Sequence, residues 1–220
     1  MSTPTPPVYL VRHGESEWNL LRLTQGQTTH PDLTDLGRDQ ARAAGRAVAA
    51  DLAAHGWQGP VRVCSSDLVR AHRTAELLAQ HLPGAGPVHD DPRLREQHLG
   101  RLEGRPYEET WAAAEEHDWS DDDAPVGGGE SARQVRQRMT AALVDATGAG
   151  VPVVLVSHGE TVRHVVQART ADGEPAWVPV PNGSVLRVLA GTGTWLPTGP
   201  AEPASEETGE VLVPALVPVS

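Results

Sequence analysis

Two short apolar runs in this chain end in the same way. Val8-Tyr9-Leu10-Val11 leads into Arg12-His13-Gly14-Glu15, and Val151-Pro152-Val153-Val154-Leu155-Val156 leads into Ser157-His158-Gly159-Glu160. Each run is too short for a helix, reads as a strand buried on both faces, and is turned at its glycine into polar residues. Strands of that kind occur in parallel sheets covered by helices on both sides, so the pair predicts an α/β fold with one core. The length of 220 residues suits a single sizeable domain.

The segments between the runs fit that scheme. Ala41, Ala44, Val48 and Leu52 recur at helical spacing within a helix expected from about Asp35 to His55. Val61 to Cys64 reads as a strand. Ser65-Ser66-Asp67 offers cap chemistry for a helix from Leu68 to His81, with Arg70 in its first turn. Val88 centres a short strand, and helices are expected at Tyr107 to His117, Ser131 to Thr147 and Thr161 to Ala168, before a last strand at Ser184 to Leu189. Residues 1–7 read as a flexible arm, 8–196 as the domain, and 197–220, where Val and Pro alternate, as a partly ordered tail. Trp111 and Trp119 are read as anchors of the irregular segment around them, and the other tryptophans, Trp177 and Trp195 among them, are scattered.

Charge narrows the partners. A net charge of -11 argues against nucleic acid or an anionic membrane surface. Much of it is local: residues 90–130 hold thirteen acids against four arginines, a balance of -9. All 18 basic residues are arginine, and Ile and Phe are absent, the pattern of a GC-rich genome, so arginine as a residue type says little by itself. Cys64 is the sole cysteine, which removes intrachain disulfides and cysteine-based zinc sites, and no apolar run is long enough to span a bilayer. A cytoplasmic location is expected.

The ends of the two signature strands carry the chemistry. Arg12 and His13 fall at the carboxyl edge of a strand, where open α/β sheets bind ligands, and a guanidinium beside an imidazole suits an oxyanion such as phosphate. The remaining histidines share no spacing with carboxylates that makes a metal site, and cations beside His13 and His158 disfavour one there.

Four groups of residues together carry a resemblance. Arg12-His13-Gly14-Glu15-Ser16 with Trp18-Asn19, Ser65-Ser66-Asp67-Leu68 with Arg70-Ala71 and Thr74-Ala75, Leu94-Arg95-Glu96 with Leu99-Gly100 and Glu103-Gly104, and Ser157-His158-Gly159 stand in an order and spacing similar to the histidine phosphatase superfamily over residues 8–190. The resemblance implies a three-layer α/β/α sandwich around a mostly parallel central sheet, phosphoglycerate mutase-like, with a lid insertion at about 97–130. It implies His13 as nucleophile, Arg12 and Arg70 as clamps on the phosphoryl oxygens, His158 as a further donor, and Glu96 as the acid that protonates the leaving group. Gly14, Asn19, Gln25, Gly26 and Gly159 join Arg12, Arg70 and His158 as expected substrate contacts. Glu103, Glu108 and Glu109 lie close to Glu96 in sequence, so its assignment rests on the Leu-Arg-Glu spacing.

Within the superfamily the chain departs from the mutase pattern. Gln25-Gly26-Gln27 stands where mutases show Gly-Trp, Leu99 to Arg105 replaces their Tyr-Gly-x-Leu-x-Gly-x-Asn-Lys run, and Gly128-Gly129-Glu130-Ser131 looks like the phosphatase branch. The expectation is a metal-independent phosphatase with no cofactor, acting on a small phosphorylated molecule, with a homodimer allowed for. A cofactor-dependent phosphoglycerate mutase and a catalytically silent phosphate-binding module are the alternatives.

Overall fold

The computed structural model describes residues 6–118, 121–166, 168–169, 175–176, 178–189, 192–196, 198 and 211–212. Residues 1–5 of the expected arm, most of the 197–220 tail, Trp119, Trp177 and the Trp195 side chain lie outside the described residues. The chain runs β1 (Val8–Arg12), α1 (Glu17–Leu20), α2 (Asp35–Ala54), β2 (Arg62–Ser65), α3 (Val69–Ala79), β3 (His89–Asp90), α4 (Tyr107–Glu115) and α5 (Ala132–Thr147). It continues through β4 (Val153–Ser157), α6 (Gly159–Val165), β5 (Ala168–Arg169), β6 (Pro175–Ala176), β7 (Val185–Leu189), β8 (Thr192–Leu196) and β9 (Val211–Leu212).

One sheet has the order β3-β2-β4-β1-β7-β8-β9, and β5 pairs with β6 beside it. β3, β2, β4 and β1 pair in parallel, whereas β7, β8 and β9 add antiparallel. Five of the seven strands described in this sheet therefore point the same way.

The two signature strands are neighbours at the centre, with Val8 opposite Val153 and Arg12 opposite Ser157. Their side chains alternate between two cores. Tyr9, Val11, Val154 and Val156 pack with Ala44, Val48, Leu52, Ala71, Ala75 and Leu78 of α2 and α3. Val8, Leu10, Val153 and Leu155 pack with Met139, Ala142 and Leu143 of α5 and with Val162 and Val165 of α6. Burial on both faces is why these strands read as unbroken apolar runs, and each fully buried Val or Leu contributes about 1.5–3 kcal/mol. No described helix is long and apolar enough to cross a membrane.

Local boundaries differ from expectation where the capping groups are not the expected ones. α3 is capped at Leu68, which has no side-chain cap bond, rather than by Ser65-Ser66-Asp67. α6 starts at Gly159 rather than Thr161 and stops at Val165, and Ala168 belongs to β5. The sequence pattern does not announce α1, β5, β6, β8 or β9. α5 does follow its expected start, with Ser131 and Gln134 closing a capping box.

Residues 97–130, between β3 and α5, leave and rejoin the rest of the domain through a tight interlock. A Cβ added to Gly100 would strike the Gly127 carbonyl, one on Gly127 the Leu99 carbonyl, and one on Gly129 the His98 carbonyl. The Glu130 N–H donates to the His98 carbonyl at 2.8 Å, and the Gly104 N–H to the Thr24 carbonyl at 2.8 Å. Beyond this base, Trp111 is 53% exposed, packing on Tyr107 and under the Arg22 guanidinium rather than anchoring in a core.

Candidate active site

His13 follows β1 directly, and its backbone N–H donates to the Ser157 carbonyl of the neighbouring strand at 3.0 Å. Its ring is buried, with Nδ1 2.6 Å from the Gly14 carbonyl. A carbonyl can only accept, so Nδ1 carries the proton and Nε2 presents its lone pair. Gly14 must be glycine because a Cβ would strike the Gly37 carbonyl of α2. Its N–H donates to Thr74 Oγ1 at 3.1 Å, and Thr74 Oγ1 donates to the Arg70 carbonyl at 2.7 Å, which ties α3 to the end of β1.

His158 follows β4 and is fully buried, its ring centroid 5.1 Å from that of His13 in an edge-on arrangement. Nε2 lies 2.9 Å from Ser66 Oγ. Arg70, also fully buried, donates from Nη1 to the Thr28 carbonyl at 2.8 Å and from Nη2 to the Gly26 carbonyl at 2.7 Å. Arg12 donates from Nη1 to the Val180 carbonyl at 2.5 Å, and its guanidinium lies over Gly159, where a Cβ would stand 3.3 Å from Cζ.

Five buried side-chain N or O atoms lack a partner among the described residues, and three of them are Arg12 Nε, Arg70 Nε and His158 Nδ1. Orphaned buried donors are costly, and an anion supplies the acceptors that all three need. Burial, reinforced by Arg70 and Arg12, holds His13 well below the ordinary histidine pKa; burial, with Arg70 and His13 next, does the same to His158. Burial also lowers Arg70 to about 10, against the opposing pull of Glu96 and Glu103. His13 is thus a neutral imidazole among cations.

Glu96 reaches the same end of the sheet. Its Oε1 accepts from the Thr161 N–H and hydroxyl and from the Gln97 N–H, each at 3.0 Å, and Oε2 accepts from the Glu160 N–H at 3.2 Å. Its charge is felt by both Arg12 and Arg70. Of its sequence neighbours, Glu103 accepts from the Gln27 and Leu99 N–H groups, and Glu108 pairs with Arg22 at the surface.

Asn19 closes the capping box of α1 with the N-cap residue Ser16, its Oδ1 accepting from the Ser16 N–H, while Nδ2 donates to the Tyr107 hydroxyl at 3.1 Å. Asn182 Nδ2 bridges Asn19 Oδ1 and the His13 carbonyl. The Gln25 side chain turns to Ser16 Oγ, 2.7 Å away, and Gly26 takes φ +47° and contributes its carbonyl to Arg70. No group of three or more His, Cys, Asp or Glu able to hold a metal occurs among the described residues.

A model of the histidine phosphatase superfamily (branch 1) matches residues 8–198. The chain belongs to this superfamily. Among superfamily relatives, it is 37% identical over 204 residues to a protein of Serratia proteamaculans (strain 568) named "Probable phosphoglycerate mutase GpmB", covering 87% of this chain and 88% of the relative. Among superfamily structures, a mycobacterial glucosyl-3-phosphoglycerate phosphatase complexed with VO3 superposes with a TM-score of 0.63 at 27% identity, covering 83% and 90% of the two chains. A phosphoglycerate mutase from Thermus thermophilus superposes with a TM-score of 0.57 at 34% identity, covering 83% and 92%.

The superfamily motifs do not reveal every residue the structure gathers here. Ser66, Thr74 and Thr161 read as caps or helix positions, and Tyr107 as the start of a lid helix. Asn182 carries no signal, because its partners Asn19 and His13 are brought near by the pairing of β7 with β1.

Proposed function

We propose that this chain is a phosphatase that hydrolyses a small phosphomonoester through a phosphohistidine on His13. The observation that carries this reading is the set of three orphaned buried donors, Arg12 Nε, Arg70 Nε and His158 Nδ1, gathered around a His13 ring whose Nδ1 is already committed to Gly14. Nε2 attacks phosphorus in line, the P–O bond breaks, and the leaving oxygen keeps the electron pair and takes a proton from the Glu96 carboxyl. Water then attacks the phosphohistidine and gives its proton to Glu96, and the P–N electron pair returns to Nε2. Arg12 and Arg70 neutralise the phosphoryl oxygens throughout, and the His158 Nδ1–H donates a hydrogen bond to one of them. The nucleophile, cations and acid are all side chains of this chain, which makes the expected chemistry independent of metal.

The departures from the mutase pattern at Gln25 to Gln27 and Leu99 to Arg105 favour hydrolysis. A second reading, phosphoglycerate mutase, is favoured by the names of the Serratia and Thermus relatives. Incubation with a panel of phosphomonoesters in EDTA, with acid and base quenches, tests both. The expected result is turnover through an acid-labile, base-stable phosphoenzyme on wild type and none on His13→Ala. Hydrolysis no faster than that of His13→Ala sinks the phosphatase reading. Isomerisation of phosphoglycerate that depends on bisphosphoglycerate priming establishes the mutase reading instead.

A further inference from the structure

Arg138, on α5, is outside the anion site, yet its hydrogen bonds divide between the segment that carries Glu96 and the Glu130 carboxylate. Nη1 donates to the Arg93 carbonyl at 2.7 Å and to the Arg95 carbonyl at 2.6 Å. Nη2 donates to the Glu96 carbonyl and to Glu130 Oε2, each at 3.0 Å, and Nε to Glu130 Oε1 at 2.9 Å. A guanidinium has five N–H donors in a rigid fork, and these five acceptors use every one. The Arg138 side chain is 16% exposed and that of Glu130 22%.

Glu130 closes the arrangement from the other side. Its Oε2 also accepts from the His98 N–H at 2.8 Å and from Gln27 Nε2 at 3.2 Å, and Gln27 Nε2 reaches the Glu96 carbonyl at 3.0 Å. The backbone of Glu96 is therefore bracketed by Arg138 and Gln27, with Glu130 between them. The Glu96 carboxylate is separately fixed at the start of α6 by Thr161 and Glu160. The Glu96 carbonyl is held from α5 and from Gln27, and the carboxylate from α6, where the Thr161 hydroxyl also reaches the Arg95 carbonyl at 2.9 Å, so the distance from Glu96 to a leaving oxygen depends on the register between α5 and α6.

We propose that Arg138, acting with Glu130, is a positioning residue that sets where Glu96 delivers its proton. This rests on the reading of Glu96 as the proton donor, and its signature is dependence on the leaving group. An alkyl phosphate needs a proton on its departing alkoxide, whereas 4-nitrophenyl phosphate expels a stable phenolate without one. Lysine at 138 keeps the charge but cannot present the fork.

The test compares kcat/KM for an alkyl phosphate and for 4-nitrophenyl phosphate in wild type, Glu96→Gln, Arg138→Lys and Gln27→Ala, with thermal melts of each. Glu96→Gln is expected to lose ~100-fold more on the alkyl substrate than on the aryl one. Arg138→Lys is expected to show a selective loss of about tenfold, a small displacement of a catalytic group being sufficient for that. Gln27→Ala, which opens the bracket from the side opposite Arg138, should shift the ratio in the same direction and supplies the readout if Arg138→Lys fails to fold. If Glu96→Gln shows the selective loss but Arg138→Lys and Gln27→Ala lower both substrates equally or neither, the positioning role is overturned and the phosphatase reading stands. Equal losses in Glu96→Gln overturn the proton-donor assignment itself, and the positioning role with it.

Discussion

The Ser66 hydroxyl lies 2.9 Å from Nε2 of His158, and this contact leaves Nδ1 as the nitrogen of that buried ring without a partner among the described residues. With the hydroxyl donating to Nε2, the ring proton sits on Nδ1, the orphaned atom. Ser66 also accepts from the Leu68 N–H at 3.3 Å, which orients its hydroxyl. Ser66→Ala removes the preference between tautomers. A fall in kcat/KM of roughly tenfold is expected, ~1.4 kcal/mol of transition-state stabilisation. Steady-state kinetics on a fixed substrate checks it, and an unchanged kcat/KM refutes the tautomer role.

The depressed pKa values of His13 and His158 give stability a pH dependence of definite sign. Unfolded, each titrates near 6.5. The native state binds fewer protons below that pH, so the contribution is complete above about pH 6.5 and is lost as pH falls, by at most about 1.4 kcal/mol per unit for each histidine. Urea unfolding at pH 7.5 and pH 5.5 should show a larger loss for wild type than for His158→Asn. Identical losses in the two proteins would falsify the assignment of that dependence to His158.

Arg70 holds two loop carbonyls and leaves its buried Nε without a protein partner, a combination that lysine cannot reproduce. Arg70→Lys is expected to bind inorganic phosphate much more weakly. Saturating phosphate at ~100 times its Kd stabilises a native state by about 2.7 kcal/mol, which appears as a rise in Tm. The rise should be present in wild type and nearly absent in Arg70→Lys at the same phosphate concentration. Equal shifts in both place phosphate elsewhere.

Gly129 lies against the His98 backbone with no room for a methyl group. Gly129→Ala is expected to destabilise the fold by about 2 kcal/mol or more, because the colliding atom is a carbonyl that cannot rotate away. Gly86, with open space where its Cβ would be, is the control: Gly86→Ala should change stability by less than about 1 kcal/mol. Chemical denaturation of the two variants against wild type measures the difference.

Much of the fold was readable because burial on both faces of β1 and β4 leaves continuous apolar runs, and α2 keeps a clean apolar stripe. The misplaced boundaries have a common cause. The Ser65-Ser66-Asp67 triplet looks like a helix cap, but Ser66 is used by His158 and Asp67 by a bidentate pairing with Arg95. α6 begins early because its free N–H groups find an acceptor in Glu96, more than sixty residues upstream, so no local cap residue announces it. α1, at four residues, is too short to show a period, and β8, with the sequence Thr-Gly-Thr-Trp-Leu, has no apolar alternation. Arg12, His13, Arg70 and His158 were legible because they sit in local grammar at strand and helix ends. Arg138, Thr161 and Asn182 act through contacts that exist only once the chain is folded.

The glycine interlock joining Gly100 to Gly127 and Gly129 has an architectural meaning. It turns residues 105–124 into a loop already closed at its base, hung from the scaffold like a bag from a drawstring. Native contacts have met the entropic cost of closing that loop, and lengthening it adds only about 0.6 kcal/mol per doubling. Its contents can therefore be exchanged or enlarged while Glu96, on the far side of the knot, keeps its place. On the function proposed above, a graft of the corresponding stretch from another member of the superfamily is expected to change substrate choice and to leave Arg12, His13, Arg70 and His158 where they stand.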